Sequence, residues 1–179
     1  MPDLTEDQKS EVEADGLEAE NFKTGFDRFR AEGIEADGTY IDDFKAFING
    51  LGLKHFAFSE FLFLGGTNSG SGSCSSLNAL PPRALWPNIA PTAKLLDELR
   101  ARLGATVRLT SIYRNKSYND CLSGTASNSV HMQFKATDFR AGDGKGPAHW
   151  SAVLHEMRDK EGLFKGGIGV YSTFVHVDT

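Results

Sequence analysis

The stretch "SVHMQFKATDF", residues 129–139, sets the reading of this chain, and the terminal "FVHVD", residues 174–178, completes it. "KATDFR" has the alternation of a strand, and "FVHVD" has it again with a second His-Asp pair. A strand with polar ends accounts for either segment alone. Together they allow a metal site assembled from two strands. Residues two apart share one face of a strand, so His176 and Asp178 point together. His131 and Asp138 are seven apart, and a straight strand would aim them oppositely. They converge only if the chain bends between them, with His131 in the loop and Asp138 on the strand.

Outward from this stretch, "TVRLTSIYR" predicts a strand that runs into a loop at Arg114, and residues 115–128 read as a polar, irregular loop. A helix starts near Pro91, shows Leu95, Leu96, Leu99 and Leu103 on one face, and stops at Gly104. A second helix, "AHWSAVLHEMRDKEG", carries Trp150, Val153, Leu154 and Met157. "GGIGVYSTFVHVDT" closes the chain as a strand pair turning at Ser172 and Thr173. "GGTNSGSGSCSS" reads as a plain flexible loop. This order suits an α+β domain: a small antiparallel sheet with flanking helices.

Before it lies a charged arm over the first 20 or so residues and a helical hairpin with Phe22, Phe26 and Phe29, then Ile41, Phe44 and Ile48. Thr39 is the expected cap of the second helix, with Asp42 as its box-like partner. The division drawn from this is an N-terminal helical appendage, residues 1–52, and a domain, residues 53–179. The appendage is expected to be dispensable for the metal site. Its aromatic stripe needs a cover: itself, the following domain, or a particle or cell-wall partner.

Composition narrows the functions. The net charge of -5 gives no general attraction to nucleic acid or an anionic membrane. No apolar run is long enough to span a bilayer, and the acidic start has no secretory-signal pattern. The expected location is therefore cytoplasmic until release, or on a virion, with action in the periplasm or cell wall. Cys74 and Cys121 lack metal-type spacing; they can pair in an oxidising compartment or stay as separate thiols. His55, His149 and His155 read individually as surface or packed histidines.

The Ser-x-His element at Ser129 and His131, Asp138 beyond it, and the late His176 resemble the zinc D-Ala-D-Ala peptidase family. Its relatives include phage L-alanyl-D-glutamate endopeptidases and the hedgehog signalling domain. "SIYR", "FSEFL", "LWPN" and "GGIGVYSTFVHVD" add to the likeness, which covers roughly residues 56–178. The resemblance implies that His131, Asp138 and His176 hold one Zn2+ with an open position, a set that activates water and polarises a scissile carbonyl. It implies Arg114 as a catalytic and substrate-binding arginine, Ser129 and Tyr171 as substrate-binding, and Asp178 as a residue that orients a ligand.

One departure matters. Many relatives carry a glutamate three residues before the last histidine, and here that residue is Thr173. His149, Asp143 or Asp178, or Tyr171 as a donor, are then the candidates for proton transfer. The reading is a zinc metallopeptidase cutting peptidoglycan stem peptides, as carboxypeptidase or cell-wall endopeptidase, of possible phage derivation. The alternative is a zinc-binding cell-wall or particle protein of the same fold with little or no turnover.

Overall fold

A computed structural model describes residues 39–179 of the chain. The charged arm and the first half of the expected hairpin, with Phe22, Phe26 and Phe29, lie outside the described residues. The second half is the helix α1, Tyr40–Gly50. Thr39 precedes it, but its hydroxyl donates to Asp43 at 2.9 Å, so the expected pairing with Asp42 moves one residue on.

Helix α1 buries Tyr40, Phe44 and Ile48, one side of a 3.6-residue repeat. Phe44 meets Trp86 edge-on, with ring centres 5.1 Å apart, and Phe134 at 6.4 Å. The Trp86 indole donates to the Tyr40 hydroxyl and to the Pro81 carbonyl. These side chains belong to the same apolar cluster as the sheet and the later helices. The α1 stripe is thus covered by residues of the segment that follows residue 53.

Helix α2, Ala90–Leu103, packs through Leu95, Leu96 and Leu99 and ends at Gly104, whose φ of 60° closes it in the left-handed region. The expected polar loop after Arg114 contains a helix instead: α3, Lys116–Cys121, started by Asn115, whose side chain accepts from the Tyr118 amide at 2.9 Å. The glycine- and serine-rich loop is likewise not plain: it holds a helical turn at Gly66–Ser69, the buried Asn68, and Cys74 bonded to Cys121. Helix α4, Pro147–His155, continues into a wider turn through Lys160.

Four strands, β1 Val107–Ser111, β2 Ala136–Ala141, β3 Ile168–Val170 and β4 Val175–Asp178, form one antiparallel sheet ordered β1-β2-β4-β3. The register sorts its faces. Leu109, Phe139 and Val175 lie opposite one another and are buried, with Phe139 against Trp150 of α4 at 6.2 Å between ring centres. Ser111, Asp138, His176 and Gly169 form the next row, across all four strands, on the other face. A bulge between Leu109 and Ser111 turns Ser111 to this row. Among the described residues, no helix is long and apolar enough to cross a membrane.

Candidate metal centre

Asp138 and His176 are directly paired across β2 and β4, so their side chains emerge side by side. His131 arrives from a tight turn, Val130–Gln133, begun by Ser129, whose hydroxyl accepts from the His131 amide at 3.4 Å. The turn ends at Phe134, a non-glycine residue with φ of 55°, and the chain then enters β2. This reversal is the bend that the odd spacing of His131 and Asp138 requires.

The three side chains converge. His176 Nδ1 lies 2.8 Å from Asp138 Oδ1, and His131 Nε2 lies 3.2 Å from both atoms. Outer partners decide what these atoms are. His131 Nδ1 sits 2.7 Å from the Ile112 carbonyl, which can only accept, so Nδ1 carries a proton and Nε2 presents a lone pair. His176 Nε2 sits 3.2 Å from Asp178 Oδ2, which places the proton of a neutral ring there and leaves Nδ1 as the lone pair. Two imidazole lone pairs and a carboxylate oxygen thus face one another. Three acceptors at such distances repel one another unless a proton or a metal ion lies between them, and this set could hold a metal ion. Two nitrogens and one oxygen suit Zn2+ with a position left open.

The protonation preferences agree with this geometry. Burial works to raise the Asp138 pKa, but the imidazoles of His131 and His176 beside it, together with the Arg114 guanidinium, outweigh it and hold the carboxyl well below its usual range. Burial lowers the His131 pKa, and Asp138 offsets only part of that. Burial acts in the same direction on His176, where Asp138 and Asp178 together reverse it and raise the pKa. Without a metal, His176 is the ring that takes the proton.

Asp178, expected from the resemblance to orient a ligand, has a support that was not legible beforehand, the glycines behind it. Asp178 accepts from the Gly167 amide through Oδ1 at 3.0 Å while Oδ2 faces His176. A Cβ on Gly167 would lie 2.7 Å from Asp178 Oδ2, and one on Gly169 would lie 3.2 Å from the His176 Cβ. The glycines of "GGIG" therefore mark a close backbone approach that seats the Asp178–His176 pair; their clustering is the sequence signal that pointed to it.

Arg114 has a double position. It lines the cleft above the cluster, and its Nη2 donates to Asp138 Oδ2 at 2.5 Å while Nε donates to Ser111 Oγ at 2.8 Å. One carboxylate oxygen of Asp138 thus serves the cluster and the other is held by arginine.

The cleft has a volume of about 690 Å³, within the range of small-ligand sites. Ser129 and Tyr171 line it together with the three clustered residues. The segment from Leu122 to Ala126 forms part of its wall, and Tyr171, half exposed and stacked on Phe174 with ring centres 4.3 Å apart, forms another part. Asp178 stands behind His176, outside the lining.

His149 is not brought to this cleft. Its ring lies 3.7 Å from Asp143 Oδ2 and 3.5 Å from Lys145 Nζ, and Asp143 accepts from the Trp150 indole. The reason is the strand alternation: α4 covers the Phe139 face, whereas Asp138 points the other way. Thr173 is exposed and accepts from Arg140 Nη2 at 3.2 Å, also outside the lining.

No curated protein and no solved structure matches the chain. The family described as Peptidase M15 matches residues 55–178, the segment that contains the sheet, the cleft and all three converging side chains. The chain belongs to the Peptidase M15 family.

Proposed function

We propose that this protein is a zinc-dependent peptide hydrolase acting on the stem peptides of peptidoglycan. The observation that carries the reading is the convergence of His131 Nε2, Asp138 Oδ1 and His176 Nδ1 beneath an open cleft, in a chain of a peptidase family. Bound zinc supplies a Lewis acid and lowers the pKa of water at the site. The protein's own residues do the rest. Ile112 and Asp178 fix the two rings in the tautomers that expose a lone pair. Ser111 and Asp138 hold the Arg114 guanidinium by two nitrogens, and Nη1 is left to meet a substrate carboxylate or the developing oxyanion. Tyr171, a half-exposed phenol at the cleft, donates a proton to the leaving amine and recovers one from solvent. In the overall reaction the oxygen of water joins the carbonyl carbon, the C–N bond breaks, and a proton of that water ends on the amine.

A second reading has an observation of its own. Among the described residues lining the cleft, Asp138 is the sole carboxylate, and Thr173 stands where the resemblance places the glutamate of many, not all, relatives. A zinc-binding protein that holds cell wall without turning it over would fit that lining. Purified full-length protein with one equivalent of zinc, incubated with defined muropeptides and read by mass spectrometry, separates the two. The hydrolase reading expects a defined cleavage product that is lost in His131→Ala. Full zinc occupancy, co-sedimentation with peptidoglycan and no product would overturn it in favour of the binding protein.

A further inference from the structure

We propose that the Cys74–Cys121 disulfide is the positioning bond of the substrate cleft: it holds the wall formed by residues 122–126, and its oxidation sets substrate affinity. The inference rests on the peptide-hydrolase reading.

Cys121 is the last residue of α3, and the lining of the cleft begins at the next residue, Leu122. Cys74 lies 47 positions away along the chain, in the segment whose Thr67 lines the same cleft. The bond therefore joins two parts of one rim.

Helix α3 has six residues, far fewer than the roughly 12–15 at which an isolated helix becomes even marginal. Tertiary contacts must hold it. Its start is tied by Asn115, which donates to the Leu77 carbonyl at 2.9 Å. Its middle is tied by Tyr118, packed so closely over Gly65 that a Cβ there would lie 2.6 Å from the phenol oxygen. Its end is tied by the disulfide.

The wall hangs on that end. Thr125 Oγ1 donates to the Asn119 and Leu122 carbonyls, and Asn119 Nδ2 donates to the Ala126 carbonyl. Movement of the α3 end thus carries residues 122–126 with it. The converging ligands are anchored elsewhere: Asp138 and His176 on the sheet, and His131 by its ring to Ile112 and by its carbonyl to the Arg114 amide. The bond bears on the wall and not on the metal ligands.

Formation of the bond is a thiol–disulfide exchange with a disulfide oxidant such as glutathione disulfide. Cys121 is partly exposed and Cys74 is buried, so the Cys121 thiolate attacks the oxidant, whose S–S bond breaks with release of one thiol. The Cys74 thiolate then attacks Cys121 Sγ of the mixed disulfide and displaces the second thiol. Two protein thiols are oxidised and one disulfide is reduced to two thiols, with protons conserved.

The test uses zinc-loaded full-length protein, oxidised, reduced in place by a phosphine, and as Cys74→Ser/Cys121→Ser. Amide hydrogen exchange is read by residue, alongside hydrolysis of a muropeptide. On loss of the bond, exchange over residues 116–128 should quicken by about tenfold or more while residues 136–141 and 175–178 keep their protection. KM should rise by about tenfold with kcat within about twofold. Unchanged exchange over 116–128, or acceleration spread equally into the strands, overturns the proposal, as does a fall in kcat with KM unchanged. If the oxidised, zinc-loaded protein cleaves no muropeptide, the hydrolase reading fails, and exchange on the same samples still decides whether the bond positions the wall.

Discussion

Phe44→Ala tests whether α1 is part of the domain that carries the metal site. Phe44 is fully buried, with Tyr40 and Phe47 rings at 6.3 Å, Trp86 at 5.1 Å and Phe134 at 6.4 Å. Removing a buried phenylalanine ring costs about 3–5 kcal/mol, and the edge-on contact with Trp86 favours the upper half of that range. Against a total stability of about 5–15 kcal/mol for a domain, the variant should sit near its unfolding threshold. The loss should also reach the site. Phe134 holds a left-handed backbone and its amide donates to the His131 carbonyl at 3.1 Å, closing the turn that presents His131. Urea unfolding of metal-free protein, followed by tryptophan fluorescence, measures the first effect; chelator competition for zinc measures the second. A destabilisation below about 1 kcal/mol would refute the reasoning, since it would mean that the stripe is not core. The stronger perturbation is a chain starting at Leu53, which removes Tyr40, Phe44 and Ile48 together and should abolish cooperative unfolding of the metal-free protein. If that chain unfolds cooperatively and binds zinc as the full chain does, residues 1–52 are a separable appendage after all.

Protons and zinc should compete at His176: its pKa is raised in the metal-free protein, so zinc affinity should fall as pH drops through a value above the ordinary ~6.5. The linked stability has a definite sign: the His176 contribution is full below ~6.5 and is lost as pH rises through the raised pKa, while the depressed Asp138 contributes above ~3.9 and loses its share as pH falls toward its folded value. Metal-free melting temperatures across this span should therefore decline on the alkaline side, and a flat profile there would contradict the proton between His176 and Asp138. Arg114→Ala should lower kcat/KM by about 10²–10³-fold and, because it leaves Asp138 Oδ2 unpaired, weaken zinc as well; unchanged zinc affinity would show that the Asp138 contact is incidental. Gly167→Ala should displace the Asp178 carboxylate and lower zinc affinity by about 10–100-fold with a small change in stability, whereas wild-type affinity would remove Asp178 from the support of His176.

The local parts of this protein were legible in its sequence. Alternation marked β1, β2 and β4, the leucine face and Gly104 marked α2, and the odd spacing of His131 and Asp138 demanded the bend that the turn at Phe134 makes. Periodicity of this kind is set by neighbouring residues, so a single sequence carries it. Features decided by distant partners were not legible. Helix α3 is too short to declare itself and exists through Gly65, Leu77 and Cys74. Whether Cys74 and Cys121 meet depends on a distance that no spacing encodes. His149 looked available for chemistry until the register put α4 on the Phe139 face, and Arg114 looked committed to substrate until the bulge at Leu109 and Ser111 brought it onto Asp138 as well. Periodicity tells which residues share a face, but the face that meets the core and the groups waiting there are fixed by strand pairing and packing between residues far apart in the chain.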